Sequence, residues 1–229
     1  MLFRSGVAVF SSLFILPLFL QNIQGYPVIS AGWVVSARGV GTMIAMLCGG
    51  FLADRFQPRH LLIAGLLCCA FSNWWMTGWS ADVGLDEIIW VTLVNGFGMG
   101  VMWVTLSAAT FSTLAPELRV EGASLFSLIR AIGASVGTSI IIVILVRSTQ
   151  VNYSELRDRV SFANEALINL SNGALLNLDT AGGVAALSKL ISKQAMMIGF
   201  LNDFVFLVGI AVIGIPLVFL LRRNKGTEA

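Results

Sequence analysis

Almost every charged residue of this chain lies between six long apolar stretches, and that segregation leaves a membrane as the only suitable solvent. The stretches run over about 5–22, 29–52, 61–79, 87–113, 121–147 and 199–221. A helix needs about 20 apolar residues, at about 1.5 Å each, to cross about 30 Å of hydrocarbon. Charged residues make up only 11% of the 229 residues, against about 25% in a soluble domain. The sequence therefore predicts an all-α membrane protein with six transmembrane helices.

Turn signals separate the first five spans. They are Gly25-Tyr26-Pro27, Gln57-Pro58-Arg59, Ala81-Asp82-Val83-Gly84 and Ala115-Pro116-Glu117. Connections this short predict antiparallel neighbours in chain order. The fifth connection, 148–198, is long and polar. It reads as an extramembrane loop with a helical start at Glu155–Arg159 and short amphipathic helices at 167–178 and 185–191. The organisation is thus 1–147 for helices one to five, 148–198 for the loop, and 199–229 for the last helix and a short tail.

The N-terminus imitates a signal peptide, with Arg4 ahead of an apolar run from Gly6 to Leu20. Gln21-Asn22-Ile23-Gln24 follows instead of a small-residue cleavage site, so this run reads as a membrane helix, and a truncated one by its length. With the N-terminus cytoplasmic, the inner segments hold Arg4, Arg55, Arg59, Arg119, Arg222, Arg223 and Lys225. The two short outer loops then hold no basic residue and carry Asp82, Asp86 and Glu87. The positive-inside rule gives both termini inside and the long loop outside.

Several function classes drop out on composition. The net charge is only +2 and the basic residues are dispersed, so a nucleic-acid partner is not expected. Cys48, Cys68 and Cys69 lie in apolar stretches and read as small hydrophobes. His60 has no companions at ligand spacing, so neither metal nor cofactor is expected. The sequence shows no nucleophile and base set either, and an enzyme is not expected.

The intramembrane polar residues are the first functional candidates. Arg38 and Arg130 lie about 18 Å and 13 Å from the inner ends of their spans. A guanidinium at such depth costs at least about 2.5 kcal/mol unless it faces a partner or a wet cavity; structural pairing or snorkelling is the alternative. Asp203 is the carboxylate nearest to mid-membrane. It is either a proton site or a carboxylate near a helix start, favoured by the dipole. Gly96, Gly98 and Gly100, and the pair Gly133 and Gly137, read as faces for close helix packing. Trp33, Trp74, Trp75, Trp79 and Trp90 fit an outer aromatic belt, while Trp103 is deeper and either packs or lines a cavity.

One segment is more specific. Gly50-Phe51-Leu52-Ala53-Asp54-Arg55-Phe56-Gln57-Pro58-Arg59-His60 resembles the loop signature of the major facilitator superfamily, with Gln57-Pro58 in place of its usual glycine. The resemblance extends along the chain to EmrB/QacA-type exporters with 14 spans. It is carried by Leu16-Pro17-Leu18-Phe19-Leu20-Gln21, Arg38-Gly39-Val40-Gly41-Thr42, Asn95-Gly96-Phe97-Gly98-Met99-Gly100 and Leu114-Ala115-Pro116-Glu117-Leu118-Arg119. Arg130-Ala131-Ile132-Gly133-Ala134-Ser135-Val136-Gly137 and Asn202-Asp203-Phe204 extend it.

By this resemblance the chain is the C-terminal six-helix half of a drug:proton antiporter in a bacterial inner membrane. It implies alternating access, with an amphipathic small molecule, protons, the lipid bilayer and the missing N-terminal half as partners. It also leaves room for a periplasmic adaptor. Arg38, Asn95, Trp103 and Arg130 are then candidate cavity residues, and Gly50, Asp54, Arg55 and Arg59 a gating loop. Two alternatives stay open: a transporter of the same fold for another small solute, and a six-span scaffold without transport activity.

Overall fold

The computed structural model describes residues 2–111, 115–159 and 181–218. They form six α-helices: α1 Leu2–Asn22, α2 Val28–Arg55, α3 Pro58–Met76, α4 Leu85–Phe111, α5 Arg119–Arg159 and α6 Ala181–Val218. A single 3-10 turn, Pro116–Leu118, leads into α5. The expected helix at 167–178 and the basic tail at Arg222, Arg223 and Lys225 lie outside the described residues.

Local chemistry sets the breaks. Gly25 takes φ 72°, a left-handed conformation that a side chain would oppose. This turn lets Tyr26 N–H reach back to the Leu20 carbonyl at 3.0 Å and close the end of α1. Pro58 opens α3 behind an extended Gln57, a position where its missing N–H costs nothing. Asp86 and Glu87 sit in the first turn of α4, where the helix dipole favours them. The Trp75 indole also donates to Glu87 Oε1 at 2.8 Å, tying the end of α3 to the start of α4.

Four helices are long and apolar enough to cross a membrane among the described residues: Val28–Phe51, Leu85–Ala108, Arg119–Asp158 and Gly182–Pro216. The apolar run described in α1, Ser12–Asn22, is shorter. Pro17 and Pro216 lie inside helices, which membrane helices tolerate when neighbours satisfy the freed carbonyl.

The expectation of neighbours in chain order holds for α3 and α4 but not for α1 and α2, α2 and α3, or α4 and α5, which touch little. α4 lies between α2 and α3, α1 lies mainly against α5, and α6 joins α5 to α3. A short connection fixes only one end of a helix pair. The faces decide the rest, and the glycine-rich faces of α4 draw in α2 and α3. Where α1, α3 and α6 meet, Phe19 packs 5.5 Å from Trp79 and 5.5 Å from Phe200, and Trp79 lies 5.9 Å from Phe204. Trp33, Trp74, Trp75 and Trp90 are exposed, as a belt requires, but Trp79 is 4% exposed. It belongs to the core because the turn after α3 folds its ring back over Phe19 and Phe204.

The fifth connection departs most from expectation. α5 runs past 147 to Arg159, and α6 begins at Ala181, well before 199. At 41 and 38 residues they are about 62 Å and 57 Å long, roughly twice the hydrocarbon thickness. Polar contacts fasten this part. Asn202 Nδ2 donates to Ser148 Oγ at 2.6 Å, and Tyr153 Oη lies 3.2 Å from Ser188 Oγ. Gly199 faces Thr149 and Leu145 so closely that an added methyl would lie 2.7 Å from Thr149 Oγ1.

Candidate transport site

The site is assembled on α4 by close backbone approach. A methyl at Gly96 would strike the Arg38 carbonyl, and one at Gly41 would strike that of Leu93. At Gly100 it would lie 2.6 Å from Ala45 Cβ. Gly98 faces the other way, where a methyl would come within 2.9 Å of Cys68 Cβ and the Gly65 carbonyl. Thr42 Oγ1 donates across the first seam at 3.0 Å to the Gly96 carbonyl, and also lies 2.9 Å from that of Arg38. Gly133 and Gly137 are buried on α5, on the same stripe as the buried Ile141 and Leu145.

This packing holds Arg38 in the interior, at 4% exposure. Its Nη1 donates to the Ser12 carbonyl at 2.8 Å and its Nη2 to Ser12 Oγ at 3.2 Å. Its Nε has no partner among the described residues. Behind it lies a second polar group. Asn95 Nδ2 donates to Ser72 Oγ at 2.7 Å, and Ser72 Oγ and Asn73 Nδ2 donate to the Cys69 carbonyl at 3.0 and 2.7 Å. The Oδ1 atoms of Asn73 and Asn95 have no hydrogen-bond partner among the described residues. Ser12, Asn73, Asn95, Met102 and Leu207 line a cavity of about 10 Å³, at the lower limit for one water molecule.

On the other side of α2 an open groove of about 690 Å³ runs past Leu13, Val35, Thr42, Met43, Leu47 and Met99, with Ser36 and Arg38 also on its wall. That volume falls in the range of small-molecule clefts. Its lining is apolar, adaptable methionine and leucine with a few polar atoms.

Trp103 and Arg130 meet: the guanidinium carbon lies 4.1 Å from the indole ring centre, a cation–π contact. It bridges α4 and α5 together with Phe111 and Phe126, whose rings are 5.8 Å apart. The candidate cavity residues therefore divide into two groups, Arg38 and Asn95 deep among α1 to α4, and Trp103 with Arg130 between α4 and α5.

The candidate gating segment is more helical than its sequence suggests. α2 continues through Gly50 to Arg55, leaving only Phe56 and Gln57 before α3. Gly50 has open space around it. Arg55 is exposed, ends α2 where the dipole favours a cation, and lies 5.6 Å from the Phe51 ring centre. Arg59 is half-buried, and the side chain of Asp54 lies outside the described residues.

Asp203 is not near a helix start. It lies about six turns into α6, beyond the reach of the dipole, and it is 0% exposed. Sequence reasoning missed Ser12, Ser72, Asn73 and Thr42. Small polar residues in a membrane helix are the signal that could have marked them.

Long apolar helices define the class as a multi-pass membrane protein, and comparison with known proteins supplies the family. Residues 1–154 match the Major Facilitator Superfamily, and the chain belongs to that family of transporters; it is not an enzyme. It is 28% identical over 172 residues to the uncharacterized MFS-type transporter YhcA of Bacillus subtilis, covering 75% of this chain and 32% of that protein. A multidrug resistance protein B homolog of Mycobacterium tuberculosis is 28% identical, over 74% of this chain and 31% of its own length. The multidrug export protein EmrB of Escherichia coli is 24% identical, over 95% of this chain and 43% of its own. The chain thus spans well under half the length of the curated relatives it matches.

Proposed function

We propose that this chain is the C-terminal six-helix half of a two-half carrier, which exports amphipathic small molecules in exchange for protons across a bacterial inner membrane. The observation that carries this reading is the open groove along α2, with Arg38 and Ser36 on its wall. A groove this wide, apolar and one-sided is half of a cavity, and a second six-helix half closes it and alternates its access. Two relatives named for multidrug resistance and multidrug export favour drug-like cargo, and amphipathic molecules suit a methionine-rich wall; another small solute is the competing cargo. The exposed outer faces of α2 and α5, with Trp33, Leu128 and Val143, are then divided between lipid and the second half.

In this reading all six helices cross the membrane, both termini are cytoplasmic, and α5 and α6 project beyond the outer surface. That projection offers a periplasmic adaptor a place to dock. The Gly50–Arg59 segment acts at the inner ends of α2 and α3 as a latch between access states. The test is dye movement in vesicles under an imposed proton gradient. The six helices joined to an N-terminal half move dye, and the 229-residue chain alone does not. Movement by the chain alone, well above empty vesicles, overturns the two-half reading.

A further inference from the structure

Among the described residues, Asp203 is the buried carboxylate with neither oxygen partnered. Its side chain is 0% exposed, and neither carboxyl oxygen has a hydrogen-bond partner among the described residues. Its flanks on α6 are Phe200 and Phe204, both fully buried, and these pack on Phe19 of α1 and, for Phe204, on Trp79. One turn before it is Gly199, pressed against Thr149 and Leu145 of α5; one turn after it is Leu207, on the wall of the small polar cavity.

Among the described residues, no charged or titratable group of the surrounding helices bonds to it. α1 has none between Ser12 and Asn22. On α3 the nearest are Cys68 and Cys69, the latter beside the cavity. On α5, Arg147 is exposed, Tyr153 is engaged near Ser188, and Arg130 lies over Trp103. On α6, Lys189 and Lys193 are exposed, nearly three turns or more away. Arg38 is the buried cation among the described residues, and Ser12 holds it.

An ionised carboxylate in such surroundings has no counterion and no donor, which an apolar interior does not sustain. We propose that Asp203 is a proton-binding site: its carboxyl is protonated in this conformation, and it ionises only when α6 moves away from α1 and α3 and water enters. On ionisation the O–H bond breaks, the proton passes to the entering water, and the carboxylate keeps the electron pair. Return of α6 to the aromatic wall requires a proton to be taken up again. Phe19, Phe200, Phe204 and Trp79 form the seal. This rests on the transport reading for its place in the export cycle, but the protonation itself does not depend on it.

Two readouts separate the two ideas. In the full-length carrier in vesicles, Asp203→Asn and Asp203→Leu keep substrate exchange within about twofold of wild type, while uphill export under a proton gradient falls by at least about tenfold. Leucine suits an apolar site, so at least one variant is expected to fold. In detergent, wild type gains thermal stability on acidification, because the folded state holds a proton that the unfolded chain releases, and Asp203→Leu lacks that gain. Uphill export retained in either folded variant overturns the assignment to the cycle. Identical pH dependence of stability in wild type and Asp203→Leu overturns the protonation itself. If wild type moves no substrate in either mode while the pH difference persists, the export reading fails and the proton site stands.

Discussion

At the scale of single residues, space and charge give opposite kinds of prediction. Gly96 has a backbone carbonyl where a methyl would go, and backbone cannot step aside as a flexible side chain can. Gly96→Ala is expected to destabilise the protein by about 1–3 kcal/mol or more, read as a lower melting temperature in detergent. Gly50 has open space within α2, so Gly50→Ala is expected to be neutral or to stabilise by about 0.5–1 kcal/mol. The Arg130–Trp103 contact belongs to the second kind. A double-mutant cycle with Arg130→Ala and Trp103→Leu should return a coupling of about 0.5–2 kcal/mol. In the full-length carrier, Arg130→Lys should keep more transport per inserted molecule than Arg130→Ala, because an ammonium still sits over the indole although it loses the planar stack. Equal transport by Arg130→Ala and wild type removes Arg130 from the transport path.

Among the elements, the paired extensions of α5 and α6 carry the sharpest contrast. A polar loop at 148–159 would accept proline almost anywhere. A helix would not, since proline removes a hydrogen bond and clashes with the preceding turn, at about 3 kcal/mol. Gln150 is exposed on α5, so Gln150→Pro tests the backbone and little else. The expected result is a clear drop in melting temperature and faster amide exchange over 148–159 and 181–198. An unchanged melting temperature would mean that these residues form no continuous helix. Composition hid this because Ser148 and Ser188 look like loop residues, yet here they join two helices side to side through Asn202 and Tyr153.

For the whole molecule, the placement of charge sets how the bundle sits in the bilayer. The distribution of Lys and Arg predicts that a cysteine at Ser154 is labelled from outside and one at Thr227 from inside. Labelling of both from one side would reverse or break the six-crossing topology. The division of labour among helices also bears on motion. α4 is wedged between α2 and α3 by glycine contacts, whereas α4 and α5 are bridged by long side chains, the Arg130–Trp103 and Phe111–Phe126 pairs. A seam of long side chains can open without breaking a close-packed backbone contact, so changes of access are expected there before they occur at α2 and α4.

Hydropathy and turn chemistry alone determined that this chain is helical, that it belongs in a membrane, and where most helices start. Those are local properties, set by how far the chain runs without a charge and by where Gly25, Pro27 and Pro58 stand. The glycines, arginines and Asp203 were also legible as unusual, because such residues are costly or weak in a membrane helix without a reason. Which helix each of them faces was not legible. Only the tertiary structure decided that Gly96 meets Arg38, that Arg38 is held by Ser12, that Trp79 leaves the belt for the core, and that Asp203 is fully buried. Each of those depends on how helices far apart in sequence lie against one another, and the period of a single helix carries no record of its neighbour.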